Sequence, residues 1–505
     1  MAQPQQALRA AQLPNFSPNS SRLHLLLASG GDERIELDPF TQRNRYGTRT
    51  FPAPEEIWFS SSTATTISER GYEAAKKAFG EYLCGAQPAD FADWFEALRR
   101  RIVAVFGAKA QAILCASGTE AEILALTVAK TFLPGSLRNI ILASSETGNG
   151  VVEAATGVHF EERATFQRSV IKGDRLKGWE DACIATVKIE IRDELGRLKS
   201  QNDLDEEVSR CVDHAVAQGD HVLLHVMDAS KTGEGGPTRA AACEIVKKYP
   251  GRVMVVVDAC QLRCAFEDIR VDLESGFLVM ITGSKFAGGP PFCGALLVPQ
   301  QLAEELHFME APAGLAAYSA RSDWPKALRA ALCPEDFAVT NFGLGLRWEA
   351  ALSEIEAFAL APAASKQNIV SMFGDAVRRH VAVRPWLRIM DSDPGRVSSR
   401  HLPTIFPIVT DDGSKADADR INCALQRPHP IFSSAASRIC HIGQPVVVSE
   451  IAALRVCISM PMINSIAAQI ANGATLQEAM KKTKADLSVL FNKWDLVRNL
   501  RLHEV

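Results

Sequence analysis

The chain of 505 residues is short of the features that would place it at a glance. No apolar run reaches the roughly 20 residues that a helix needs to cross a bilayer, so no membrane span is expected. The opening stretch, MAQPQQALRAAQLPNFSPNS, has no charged-then-apolar signal pattern, and export is not expected. Charge of one sign is also lacking: the formal net charge is −4, which gives no electrostatic case for nucleic acid or an anionic membrane as partner. Twelve cysteines over such a length are not a disulfide framework, and the two in VDACQLRC (257–264) are not in metal-finger spacing. A reducing cytoplasm is the expected setting. No G-x-G-x-x-G follows an early strand, which counts against a dinucleotide site. Internal repeats and low-complexity tracts are absent too.

What is present is ordinary in bulk, 47% hydrophobic and 23% charged, and long enough for two or more domains. The first 80 or so residues read as irregular, broken by proline in NFSPNS, LDPFTQ and FPAPEE. Within them the hydroxyl-rich FSSSTATTISERGY reads first as a polar loop entering a helix capped by Ser or Thr, and second as a lid reaching a substrate site. From about residue 85, short apolar runs alternate with helical stretches: AILCA (112–116), NIILAS (139–144), HVLLHVM (221–227), RVMVVV (252–257), FLVMI (277–281) and GALLVP (294–299). Continuous apolar runs between helices predict buried strands of a mainly parallel sheet in an α/β fold. A long amphipathic region near 340–385 follows, then strand-like LPTIFPIVT and ALRVCISMPMI and a terminal helix, which predict a smaller α+β domain. The expected division is an arm and lid segment over 1–84, a large domain over 85–335, and an interdomain helix with the small domain over 336–505.

Ligands of open α/β sheets bind at the carboxyl ends of the strands, so the residues that follow each run carry the chemistry. After FLVMI come Thr282, Ser284 and Lys285, in a segment crowded with glycine and proline. Lysine is rarely buried unless paired or chemically committed. One reading of Lys285 is a surface lysine past a strand end; the other is a lysine that forms a Schiff base with a carbonyl cofactor. After RVMVVV comes Asp258, a carboxylate that is costly at the end of a buried strand unless a cation or proton donor meets it. A protonated pyridine nitrogen is such a partner. Gln261 follows three residues later. After AILCA, Ser117, Gly118 and Thr119 open a helix whose free N–H groups and positive dipole end suit a phosphate, although an ordinary N-cap explains them alone. Phosphate cradle, ring-nitrogen carboxylate and Schiff-base lysine, in this order and each at a strand end, together describe pyridoxal phosphate (PLP).

The segments VVVDACQ, TGSKFAGGPPFCGALLV and SGTEA resemble the cofactor motifs of the class V aminotransferase and cysteine desulfurase group. The resemblance runs from about residue 85 to 465 and implies fold type I, a homodimer with its active site at the subunit interface. It implies that Gly118 and Thr119, with Thr282 and Ser284, contact the phosphate. It further implies that Asp258 meets the ring nitrogen, that Gln261 approaches the phenolic oxygen, and that Ser230 in HVMDASKTG faces the cofactor. Three departures stand out. SSETGNG lacks the histidine that stacks on the ring, leaving Thr147 or a neighbour to do so, and Ser284 stands where desulfurases usually have histidine. In CHIGQPVVVSEIAALRVCIS, Gln444, Pro445 and Arg455 fall in register, but Ile442 takes the persulfide cysteine's place and Cys440 lies two residues earlier. Arg455 is then the expected clamp on the substrate α-carboxylate. His159, His225 and His441 read as structural, with His225 and His441 near enough to the motifs to border the cofactor. The expected activity is that of a PLP-dependent enzyme acting on a small amino-acid substrate, an aminotransferase ahead of a lyase or epimerase, with a catalytically silent PLP-binding protein as the distant alternative.

Overall fold

The computed structural model of the chain describes residues 18–84, 90–306, 311–332, 336–338, 340–390, 403–428 and 437–500. Residues 1–17, on which the export reading rests, lie outside the described residues. The described residues form twelve strands: β1 (Ile57–Phe59), β2 (Ala110–Cys115), β3 (Leu137–Leu142), β4 (Ile184–Ile189), β5 (His221–Met227), β6 (Val253–Ala259), β7 (Leu278–Thr282), β8 (Gly294–Pro299), β9 (Leu387–Ile389), β10 (Ile405–Thr410), β11 (Cys440–Val448) and β12 (Ile451–Cys457). No described helix is long and apolar enough to cross a membrane.

Seven strands form the larger sheet in the order β2-β8-β7-β6-β5-β3-β4. The pairs from β4 through β3, β5 and β6 to β7 are parallel, and β8 runs antiparallel to both of its neighbours. The sheet has a core on each face. Ile113, Leu223, Val256, Met280 and Leu296 pack with Leu124 and Val128 of the helix Gly118–Phe132. The alternate residues Leu114, Leu224, Val257, Val279 and Leu297 pack with Val208, Val212 and Ile245 of the helices on the other side. A strand covered on both faces gains from an apolar residue at every position, which is why these runs are continuous rather than alternating. The mixed α/β class and the mainly parallel sheet agree with the sequence reading.

The smaller sheet has the order β1-β11-β12-β10-β9, antiparallel except where β1 pairs parallel with β11, Ile57 facing Cys440 and Phe59 facing Ile442. Gln444 and Pro445 lie in a bulge where the β11–β12 register shifts between Gly443 and Val446. Proline cannot donate to a ladder, so a bulge is where a strand tolerates it.

Three expectations are corrected. Residues 18–84 are not irregular throughout: they contain the helices Pro18–Leu27 and Glu69–Leu83 as well as β1. Arg347, on the buried helix Phe342–Leu360, pins this arm by donating to the carbonyls of Leu27, Ser29 and Gly30 and to that of Phe292. Second, β4 carries only interrupted burial and gives no apolar run to find. Third, MPMI opens the helix Met460–Ala471, with proline in its first turn where a missing N–H costs nothing. The hydroxyl-rich stretch does end in a capped helix, Ser68 accepting the N–H of Gly71 at 2.9 Å.

Candidate active site

The carboxyl ends of the parallel strands and the bulged edge of the smaller sheet enclose a cavity of about 330 Å³. Such a volume falls in the range of small-molecule sites, about 300–1,000 Å³. Every candidate residue from the sequence reaches its wall: Ser117, Gly118, Thr119, Thr147, Ser230, Asp258, Gln261, Thr282, Ser284, Lys285 and Arg455. They come from six separate stretches of sequence, and the topology brings them to one side.

Asp258 and Lys285 are the chemically conspicuous pair. Asp258 is opposite Met280 in the β6–β7 ladder, and Lys285 leaves the end of β7 three residues beyond Thr282. The Asp258 carboxylate accepts the Cys260 N–H at 3.0 Å through Oδ1 and has the Cys260 thiol beside it, and no cation pairs with it among the described residues. Lys285 makes no hydrogen bond or ion pair with its side chain among the described residues. The glycines around it hold the backbone rather than the amine. A Cβ on Gly283 would fall 2.6 Å from Ala351 Cβ, and one on Gly289 2.7 Å from the same atom. Only glycine lets this turn seat against the helix Phe342–Leu360, and the Gly288 N–H donates to the Lys285 carbonyl at 3.0 Å.

Ser117 caps the helix Gly118–Phe132, accepting the Glu120 N–H at 3.4 Å. A Cβ at Gly118 would come within 2.7 Å of Cys260 Sγ, so glycine lets this helix start press against the end of β6. The first N–H groups of the helix have no intrahelical partner and front the cavity. Thr282 is a strut: its hydroxyl donates to the Cys260 carbonyl at 2.6 Å. Thr147 donates to the Ser144 carbonyl at 3.1 Å, holding the turn after β3. Gln261 is fixed at both ends, donating to the Ser62 carbonyl at 3.0 Å and accepting from Arg263 at 3.3 Å.

Arg455 is fully buried, and its guanidinium is mostly engaged by the protein. Nε and Nη2 donate to the Gln444 carbonyl at 3.0 and 2.6 Å, and Nη2 also to Thr63 Oγ1 at 2.9 Å. Nη1, with one contact of 3.4 Å to the Ser62 carbonyl, is its freest nitrogen. No carboxylate pairs with it among the described residues, and burial pulls it down to about 10.

Four contributors were not named from the sequence. Ser62 and Thr63 belong to the hydroxyl-rich stretch whose second reading had it reach a substrate site, and they arrive just after β1. Glu146 is buried in the floor, where it accepts from Arg192 Nε at 2.7 Å, from Ser230 Oγ at 2.8 Å and from the Thr232 hydroxyl. This compensated carboxylate ties the turn after β3 to the turn after β5. Lys231 follows Ser230 on that second turn and lines the cavity with no side-chain partner among the described residues. Burial, then the nearby charges of Arg455 and Lys285, push it down to about 7, with Glu146 opposing. The signal available was a lysine one residue past the expected cofactor contact.

Of the histidines, His159 bonds the Tyr318 hydroxyl at 2.7 Å, and His441 bonds Glu56 at 2.8 Å while stacking on Trp58. His225 faces the buried Glu122 at 3.2 Å, behind the cavity wall that Glu122 lines. Cys440 is buried against the Arg438 carbonyl, and burial pushes its thiol up to about 11. Among the described residues Cys260 is the one cysteine lining the cavity, and burial holds its thiol well above the ordinary range.

No protein-family model matches the chain, and no curated protein matches it by sequence. Solved structures do match. A NifS-like protein from Rickettsia africae is similar over 88% of this chain and 99% of its own, with a TM-score of 0.51 and 11% identity. A second chain described as NifS-like is similar over 83% of this chain and all of its own, with a TM-score of 0.47 and 14% identity. The first likeness shows the class of fold, that of a NifS-like protein, laid out over nearly the whole length of that relative.

Proposed function

We propose that the chain is a PLP-dependent enzyme acting on an amino acid, with transamination ahead of elimination. The observation that carries this reading is the pair Asp258 and Lys285, facing one cavity from adjacent strand ends, the carboxylate with no cation and the amine with no partner among the described residues, beside a capped helix start. The residues fit the group: a carboxylate without a cation for a protonated ring nitrogen, unpaired N–H groups for a phosphate, and a free amine for an aldehyde. When bound, PLP supplies an electron sink for the bonds at the substrate's α-carbon.

The chain's own residues do the rest. Lys285 would hold the cofactor's aldehyde, and its amine, when free, would take and return the proton at the substrate α-carbon. The negative charge of Asp258 would keep the ring nitrogen protonated. Gly118, Thr119 and Ser284 would hold the phosphate, Gln261, Ser230 and Thr147 would border the ring, and Thr282 keeps the ends of β6 and β7 together. Arg455 offers Nη1 to the substrate carboxylate. Transamination stands ahead of sulfur transfer because a persulfide needs an accessible thiolate. Cys440 is turned into the core, and the Cys260 thiol is held in its protonated form.

The test is a panel of amino acids with and without 2-oxo acid acceptors, following the cofactor spectrum together with pyruvate, ammonia and sulfide. Transamination gives acceptor-dependent turnover. Ammonia or sulfide release without an acceptor gives the reaction to a lyase, and a spectrum that no amino acid alters removes the enzymatic reading.

A further inference from the structure

The charges on the cavity wall do not balance, and the excess sits at one end. Glu146 is consumed by Arg192, Ser230 and Thr232. Glu122 accepts from Asn139 at 3.0 Å and faces His225, and Arg34 is paired with Asp32 at 2.6 Å. Lys285 and Asp258 are committed to the cofactor on the reading above. Of the other charged groups on the wall, Arg45 is exposed and Glu161 half-buried. The inward cations that remain are Arg455 and Lys231, whose charges act on each other, and neither has a carboxylate within 4 Å among the described residues. Behind them Arg263 is also fully buried, with only oxygens of Gln261, Ser61 and Thr404 as hydrogen-bond partners.

Inward-turned cations without counter-ions are costly, and a cavity that keeps a buried Arg455 and a half-buried Lys231 on one wall is built for anions. The α-carboxylate of an amino acid answers one. Resting on the amino-acid reading of this cavity, we propose that Lys231 is a substrate-binding residue that receives a second acidic group, so that the substrate is an amino acid with an anionic side chain. The lysine is suited to the task. Its backbone is fixed by a 2.9 Å bond from its N–H to the Glu146 carbonyl, and its amine is free on a flexible stem. Arg455, whose fork is mostly occupied, is the more rigid of the two and serves the carboxylate whose position relative to the α-carbon must not vary.

The test uses unreactive ligands of matched length, glutarate against valerate and succinate against butyrate, titrated by calorimetry into the PLP-loaded protein and again into protein without added PLP. The wild-type chain is expected to prefer the dicarboxylate by at least about tenfold. Lys231→Met should abolish that preference while leaving monocarboxylate binding and PLP retention unchanged, and Lys231→Arg should restore part of it. A wild-type chain that does not discriminate overturns the proposal, as does a Lys231→Met chain that still does. Loss of PLP from Lys231→Met, or equal weakening of both ligands, assigns the lysine to the cofactor instead. If Lys231→Met fails to fold, the wild-type preference and the Lys231→Arg value decide alone. Dicarboxylate preference in a chain that never retains PLP would leave this site standing and remove the cofactor reading; retained PLP with turnover of neutral amino acids alone would do the reverse.

Discussion

Lys493 and Lys285 show two ways in which a protein holds an inward-turned lysine. Lys493, on the last helix, is completely buried, and its ammonium donates to the carbonyls of Leu425, Arg427 and Arg438 at 2.7–2.8 Å. Every proton is used, and the ammonium ties the end of the helix Lys415–Leu425 to the residues before β11. Lys285 and its neighbour Lys231 face a cavity and bond nothing among the described residues. A satisfied lysine is part of the framework. An unsatisfied one on the same cavity wall as Asp258, a carboxylate without a cation, is where the proposed cofactor would supply the missing partner.

The sharpest way to break this contrast is Lys285→Ala. Turnover should fall by at least about 10²–10⁴-fold, the range that positioned acid–base groups contribute, with the fold retained by circular dichroism. Arg455→Ala comes next. A buried charged pair truncated on one side costs about 2–5 kcal/mol, so kcat/KM for amino acids should drop by about two to three orders of magnitude while PLP stays bound. Arg455→Lys should recover little, since one ammonium cannot hold the Gln444 carbonyl, Thr63 and a substrate carboxylate at once.

Lys493→Met should do the opposite of Lys285→Ala. It removes the donor from the buried Leu425 carbonyl and from the partly buried carbonyls of Arg427 and Arg438, at about 1–3 kcal/mol for a buried group left unsatisfied, so the melting temperature should fall while kcat per folded molecule holds. A pH series sharpens the Lys231 half of the comparison. That lysine, faced by Arg455, Lys285 and Glu146, is depressed to about 7, and only its protonated form attracts an anion. Dicarboxylate affinity should therefore be full below that pH and decline as pH rises through it, and the decline should be absent in Lys231→Met. The smallest effect expected is that of Cys440→Ser. With its thiol pushed up to about 11 and turned from the cavity, its loss should leave turnover near wild type and sulfide release unchanged. A folded, PLP-loaded Cys440→Ser chain without activity would restore the desulfurase reading.

The site was more legible in the sequence than the fold around it, for a physical reason. Strand ends in a sheet covered on both faces announce themselves, because an apolar run stops abruptly at a residue such as Asp258 or Thr282. β4 has no such run, and β1 is three residues just after two prolines, with a partner strand nearly four hundred residues away. No local pattern encodes that pairing. Ser62 and Thr63 were lost with it, because the β1–β11 ladder is what carries them to Arg455. Lys231 and Glu146 stood one residue from expected contacts, but their roles come from charge balance in three dimensions, which spacing does not report.

The central claim is that Lys285, and neither Lys231 nor Lys493, is the lysine committed to a carbonyl cofactor. The direct measurement is borohydride reduction of the PLP-reconstituted chain followed by peptide mapping of the pyridoxyl label. The account predicts a single label on Lys285, loss of the visible absorbance band on reduction, and no label in Lys285→Ala. Labelling of Lys231 in the wild-type chain, or a chain that takes up no PLP at all, would contradict it.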